Sequence, residues 1–212
     1  MPDLAEQDDR RPVRAPAHRA RLAPPAIGRV FVITGPSGVG KGTLIRSLLR
    51  RLPQLQLSVS ATTRAPRPGE QHGVDYWFLS DEDFDARAAA GDFVEHATYS
   101  GRRYGTLRSE LDRRIEAGVP VVLEIELQGA RQVRAAMPEA VQIFIEPPSL
   151  DALQARLVGR GTDDPEQVAA RLRAAEAELA AKDEFAHVVR NDRLEDAVDA
   201  LEAIVRAQLD AP

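Results

Sequence analysis

Apolar positions along the chain follow two different rhythms. The runs "RVFVIT" (29–34), "VPVVLEIEL" (119–127), "AVQIFIEPP" (140–148) and "HVVR" (187–190) are short and rich in β-branched residues, as in parallel strands buried on both faces. Between them apolar residues recur every three or four positions. After the first run, Leu44, Ile45, Leu48, Leu49 and Leu52 share one helical face. Further helices are expected over about 107–117, 129–136, 149–159, 165–184 and 193–208, with Thr106, Ser149 and Asp164-Pro165 as cap and first-turn signals. Strands alternating with helices predict an α/β fold, a parallel sheet flanked by helices.

Residues 58–106 break the alternation. They hold most of the aromatic residues, clustered Pro and Arg, and short alternating stretches such as "VDYWFL". This segment reads as an inserted α+β unit. Residues 1–28, rich in Arg, Pro and Ala but carrying Asp3, Glu6, Asp8 and Asp9, read as a disordered N-terminal tail rather than a targeting presequence. Ordered structure is expected over 29–212.

Composition narrows the function classes. With 43% hydrophobic and 29% charged residues, the chain has an ordinary globular balance. A net charge of −5 argues against a dedicated nucleic-acid binder. The absence of cysteine excludes disulfides and thiolate metal sites. No apolar run approaches the length of a membrane span, and the cytoplasm is the expected location.

The first strand leads into "GPSGVGKGT", a G-x-x-x-x-G-K phosphate-binding loop from Gly35 to Lys41. Gly35, Gly38 and Gly40 let the backbone turn its N–H groups around an anion. The helix that follows adds the positive end of its dipole, and Lys41 reaches the terminal phosphates. Its strand–loop–helix context makes the motif specific. One position departs from the rule: Gly42 stands where a Ser or Thr hydroxyl ordinarily ligates Mg²⁺.

Arg64 and Arg67, three residues apart in a Pro-rich loop, suit forked recognition of a phosphate. By themselves they read more readily as two solvated arginines in a surface loop. Glu124 and Glu126, two apart in a strand, project to one side near its C-terminal end, where open parallel sheets bind ligands. They either face a ligand or pair with neighbouring arginines.

The motifs "GPSGVGKGT", "SVSATTRAPRPGE", "HGVDYWFL", "FVEHATYSGRRYGT", "LEIELQGA", "FIEPPS" and "LVGRGTD" occur in the order and approximate spacing of guanylate kinase, over about 29–210. The chain resembles the bacterial members of that family, which transfer the γ-phosphoryl of ATP to GMP. The resemblance implies a P-loop fold with a GMP-binding insertion (about 60–107) and a mobile lid (about 156–171). It implies ATP-dependent phosphorylation of GMP, and of dGMP, to the diphosphate, with Mg²⁺ bound alongside ATP.

It also implies site residues. The ATP loop is Gly35, Pro36, Ser37, Gly38, Val39, Gly40, Lys41, Gly42 and Thr43, with Asn191 near the adenine. Glu95 corresponds to the carboxylate that accepts from guanine N1–H and its amino group, helped by Ser60, Thr106 and Glu126. Thr106 stands where the family often has Ser. Arg64, Arg67, Tyr76 and Tyr104 correspond to ligands of the GMP phosphate. Lys41, Arg64, Arg156, Arg160 and Arg171 correspond to the cations around the transferring phosphoryl group. Glu124 is expected to hold metal-bound water, although the family typically carries Asp at one or both of the 124 and 126 positions. Three other functions compete with this one. A guanylate-kinase-like peptide-binding module is disfavoured by the complete phosphate loop. An adenylate-type kinase, suggested by "GKGT", is disfavoured by the insertion bearing Glu95. A GTPase is disfavoured by the absence of N-K-x-D.

Overall fold

A computed structural model describes residues 28–99, 101–159 and 165–211. The tail expected over 1–28 therefore lies outside the described residues except for Gly28, as does Arg160 with the following four residues of the expected lid.

The main sheet has five parallel strands in the order β2 (Gln56–Leu57), β7 (Val121–Glu124), β1 (Val30–Thr34), β8 (Val141–Glu146) and β9 (His187–Arg190). β1 is fully buried at its centre, so alternate residues serve opposite faces. Phe31 and Ile33 join Leu44, Ile45 and Leu48 of α1 (Lys41–Arg51) and Val198, Leu201 and Val205 of α7 (Leu194–Leu209). Val30 and Val32 join Leu111 of α3 (Arg108–Glu116) and Ala130 and Val133 of α4 (Leu127–Ala136). Two helical layers thus cover one sheet, and the β1–α1 loop emerges at its C-terminal edge.

The insertion forms a second, four-stranded sheet in the order β4 (Trp77–Phe78), β3 (Ala61–Thr62), β6 (Arg102–Leu107) and β5 (Phe93–Tyr99). It has a small core of its own, with Phe84 of α2 (Asp81–Ala90) stacked on Phe93 at 4.5 Å. The expected lid takes in the end of α5 (Leu150–Val158) and the first half of α6 (Pro165–Leu179).

Three expectations shift. The run expected as a strand through 127 pairs only to Glu124, and α4 begins at Leu127 rather than 129. The backbone nonetheless stays extended at Glu126 (φ −82°, ψ 166°), so Glu124 and Glu126 still project together. The helix expected to 184 stops at Leu179 and gives way to a 3-10 turn at Lys182–Glu184, because Phe185 turns inward onto Phe144 at 5.2 Å. Thr106 does not cap α3, whose N-cap is Leu107; its hydroxyl has another partner. The edge strand β2, two residues long and exposed, is an element the sequence pattern did not predict.

Candidate active site

The phosphate loop joins β1 to α1 through Gly35, Gly38 and Gly40, all at positive φ. Gly35 is the tightest of them: a Cβ there would lie 2.3 Å from the carbonyl oxygen of Ile145 on β8. Lys41, only 8% exposed, folds its Nζ back to donate to the carbonyls of Gly35 (2.6 Å) and Pro36 (3.3 Å). Those carbonyls stand in for the anion a phosphate would supply. Asn191 braces the loop from behind, its Nδ2 donating to Val39 O at 2.8 Å.

A cavity of about 280 Å³ runs from Lys41 between the two sheets to Glu95, with Ser60, Tyr76, Tyr104, Glu124 and Glu126 among its walls. Glu95 is 4% exposed and accepts a 2.8 Å hydrogen bond from Thr106 Oγ1, across the β5–β6 ladder. Burial pushes its carboxyl up to about 7, against hydrogen bonds from the Thr106 hydroxyl and backbone that favour the anion. Glu126 Oε2 is buried without a hydrogen-bond partner among the described residues. Four carboxylates, Asp75, Glu95, Glu124 and Glu126, thus line the cavity and offer acceptors to a ligand rich in N–H groups.

Glu124 stands beside the phosphate loop. It is open to solvent at the cleft wall, yet the surrounding protein raises its carboxyl above the usual range, while the charge of Lys41 opposes the rise. A Cβ built on Gly42 would sit 3.5 Å from Glu124 Oε1 and 3.6 Å from Oε2. The space left by the missing side chain therefore opens onto this carboxylate. Among the described residues no cluster of three or more Asp, Glu, His or Cys could hold an ion by protein ligands alone.

The second cleft, about 550 Å³, is lined by Ser37, Arg64, Arg67, Arg102, Tyr104, Arg171 and Glu178. Arg64 makes a forked ion pair with Glu70 at 2.8 and 3.0 Å, and its guanidinium lies over the Tyr76 ring at 5.2 Å. The Arg64 fork and the Arg67 backbone N–H hold Glu70 below the usual carboxylate range. Arg171 Nη2 donates to Ser37 Oγ at 2.7 Å, and Tyr99 OH donates to the same oxygen at 2.9 Å. The phosphate loop, the insertion and α6 therefore meet at one hydroxyl.

Arg156 is placed differently from the others. It donates to Val39 O (3.1 Å) and Asn191 O (2.9 Å), behind the loop rather than in either cleft. Sequence reasoning missed Glu70, Tyr99, Arg102 and Glu178. Glu70 carried a local signal, six residues beyond Arg64 in the same Pro-Gly loop. Glu178 did not: its carboxyl is pushed up to about 7 by burial and then by the charge of Glu126, a contact made only in the folded chain.

The family model for guanylate kinase matches residues 27–208. The chain is 51% identical to the guanylate kinase of Streptomyces coelicolor over 189 residues, covering 89% of this chain and 96% of that protein. It is 55% identical to the guanylate kinase of Thermosynechococcus vestitus over 183 residues, covering 86% and 96%. The crystal structure of guanylate kinase from Anaplasma phagocytophilum superposes with a TM-score of 0.71 at 32% identity, covering 88% of each chain.

Proposed function

The chain belongs to the guanylate kinase family, and on that premise we propose a division of labour for its site. The protein phosphorylates GMP to GDP with ATP as donor. The observation that carries the residue-level reading is the buried Glu95–Thr106 pair, at the far end of a cavity that opens at Lys41.

Guanine presents N1–H and an exocyclic amino group side by side, and Glu95 as an anion accepts both. At pH 6, deprotonating a carboxyl whose pKa is about 7 costs about 1.4 kcal/mol. Two charge-assisted hydrogen bonds contribute about 3–6 kcal/mol together, so the bound base holds Glu95 ionised. Adenine turns an acceptor toward the same oxygens and is rejected. Ser60, Thr106 and Glu126 complete the base site, and the buried unpartnered oxygen of Glu126 is a ready acceptor.

Arg64, Arg67, Tyr76 and Tyr104 take the GMP phosphate. Glu70 keeps Arg64 oriented until the substrate competes for its fork. The phosphate loop and Lys41 hold the ATP phosphates, with Asn191 toward the adenine. In the reaction a GMP phosphate oxygen bonds to the γ-phosphorus as the bond to the ADP oxygen breaks. The attacking phosphate has a second pKa of about 6, so no general base is needed. Arg171, with Arg160, neutralises charge on the transferring group, whereas Arg156 supports the phosphate loop from behind. The insertion (about 60–107) and the lid (about 156–171) are the moving parts.

Mg²⁺ fits the loop despite Gly42, because the space beside that residue faces the Glu124 carboxylate. The ion, when bound, neutralises the β- and γ-phosphates, and it commonly keeps several waters. Glu124 would be the side chain that holds the ion's water shell on that side. dGMP is a second acceptor in this reading, since no role is assigned to the ribose 2′-OH. No helix among the described residues is long and apolar enough to cross a membrane. With ATP and GMP as its partners, the protein works in the cytoplasm, on free nucleotides rather than nucleic acid. The test is an ADP-release assay with ATP, Mg²⁺ and each of GMP, dGMP, AMP, UMP and CMP. Rapid turnover with GMP and dGMP alone is expected. Comparable turnover of AMP would overturn the base reading.

A further inference from the structure

We propose that Gln132 is a positioning residue for base selection: from α4 it stands in for a missing neighbour strand of β5 and so fixes Glu95. The proposal rests on the reading of Glu95 as the guanine acceptor.

β5 is the outer strand of its sheet, bonded to β6 on one side only. An edge strand carries outward N–H and C=O groups that need partners. At His96, next to Glu95, a single side chain provides both. The His96 N–H donates to Gln132 Oε1 at 3.1 Å, and Gln132 Nε2 donates to His96 O at 2.8 Å. A primary amide offers one acceptor and two donors, so it reproduces the pairing of a peptide group. The β5–β6 ladder alone fixes this stretch less well, because its register shifts between Phe93 and Glu95. The amide clasp falls just after that irregularity.

The same helix approaches Glu95 directly. Gly129, one turn before Gln132, leaves the room that Glu95 occupies: a Cβ there would lie 2.4 Å from Oε2 and 3.1 Å from Cδ. Thr106 holds Oε1 from the other side. The carboxylate is thus bounded by β6 through Thr106 and by α4 through Gly129, while Gln132 locks the strand that carries it. α4 begins immediately after Glu124 and Glu126, so one helix N-terminal segment registers the base site against the metal side of the cleft.

The experiment compares wild type with Gln132→Leu, which keeps the bulk and removes both hydrogen bonds, and Gly129→Ala, which crowds Glu95 and leaves the clasp intact. The readouts are kcat/KM for GMP and for IMP, which lacks the 2-amino group, KM for ATP, and the thermal midpoint. Both variants are expected to lose at least about fivefold in kcat/KM for GMP, and less for IMP, with KM for ATP within about twofold. The GMP-to-IMP preference therefore narrows, which simple loss of stability does not produce. If Gln132→Leu fails to fold, Gln132→Asn, whose shorter amide cannot span the strand, takes its place. An unchanged GMP-to-IMP ratio in the Gln132 variant, with or without a lower thermal midpoint, overturns the proposal. Glu95→Gln run in parallel separates the two readings. If it too leaves the ratio unchanged, the base-site reading fails as well; if it alone collapses the ratio, only the role of Gln132 fails.

Discussion

Thr106 donates its hydroxyl to Glu95 Oε1 at 2.8 Å across paired positions of β6 and β5, and both side chains are buried. Glu95→Gln exchanges one acceptor oxygen for an amide that opposes the guanine N–H groups. GMP turnover is expected to fall at least about tenfold in kcat/KM, with ATP affinity little changed. Steady-state kinetics with each nucleotide varied in turn checks this. Wild-type kcat/KM for GMP in the variant removes Glu95 from the base site.

The same residue sets a pH dependence of stability. Burial raises the Glu95 carboxyl from the ordinary 4.5 to about 7 in the folded protein. A raised acid binds its proton more tightly when folded, so its contribution is fully present below pH 4.5 and is lost as pH rises to about 7. Glu95→Gln mimics the protonated form. Relative to wild type it is expected to be more stable at pH 8, on the order of 3 kcal/mol, and nearly matched at pH 4.5. Glu178 titrates in the same window but is common to both proteins. Thermal unfolding at the two pH values decides the matter, and an equal difference at both excludes Glu95 as the source.

Gly42 and Glu124 give the metal prediction. The Cβ of a residue at 42 would meet Glu124 at 3.5–3.6 Å and Arg46 at 3.4 Å, ordinary contact distances. Gly42→Ser is therefore expected to keep its activity and to need no more Mg²⁺ than wild type. Glu124→Gln is expected to raise the Mg²⁺ concentration for half-maximal rate severalfold, with GMP affinity nearly intact. Titrating Mg²⁺ at fixed ATP tests both. An unchanged requirement in Glu124→Gln leaves Glu126 as the metal-side carboxylate.

The arginines of the second cleft separate by kinetics. Arg171 lines it and contacts Ser37 of the phosphate loop, whereas Arg64 is held ready by Glu70. Arg171→Ala and Arg160→Ala are expected to lower kcat by about 10²–10³ with smaller effects on KM for GMP, since such cations act on the transferring group. Arg64→Ala is expected to raise KM for GMP as well. A loss of GMP affinity at constant kcat in the Arg171 variant makes it a substrate ligand only.

Local patterns made the main sheet and the phosphate loop legible in the sequence. Buried parallel strands are short apolar runs, helices facing them repeat every three to four residues, and the loop needs glycines where φ is positive. The resemblance to a known family supplied the site residues, and the fold draws most of the described ones into the two clefts. β2 lies outside the expected elements, because a strand of two residues is too short to show a period and is set by its backbone pairing to β7. The end of β7 was misjudged, because extended chain at Glu126 alternates like a strand without being paired as one.

What only the tertiary structure decided is which polar group meets which. Thr106 reads locally as a helix cap, but its hydroxyl serves Glu95 eleven residues away. Gln132, half-buried on α4, completes the edge of a strand 36 residues earlier. Ser37 joins Tyr99 and Arg171 from two other elements. The physical reason is one of range. Apolar burial depends on periodicity along the chain, whereas hydrogen bonds and pKa shifts depend on the few ångströms between groups that packing brings together.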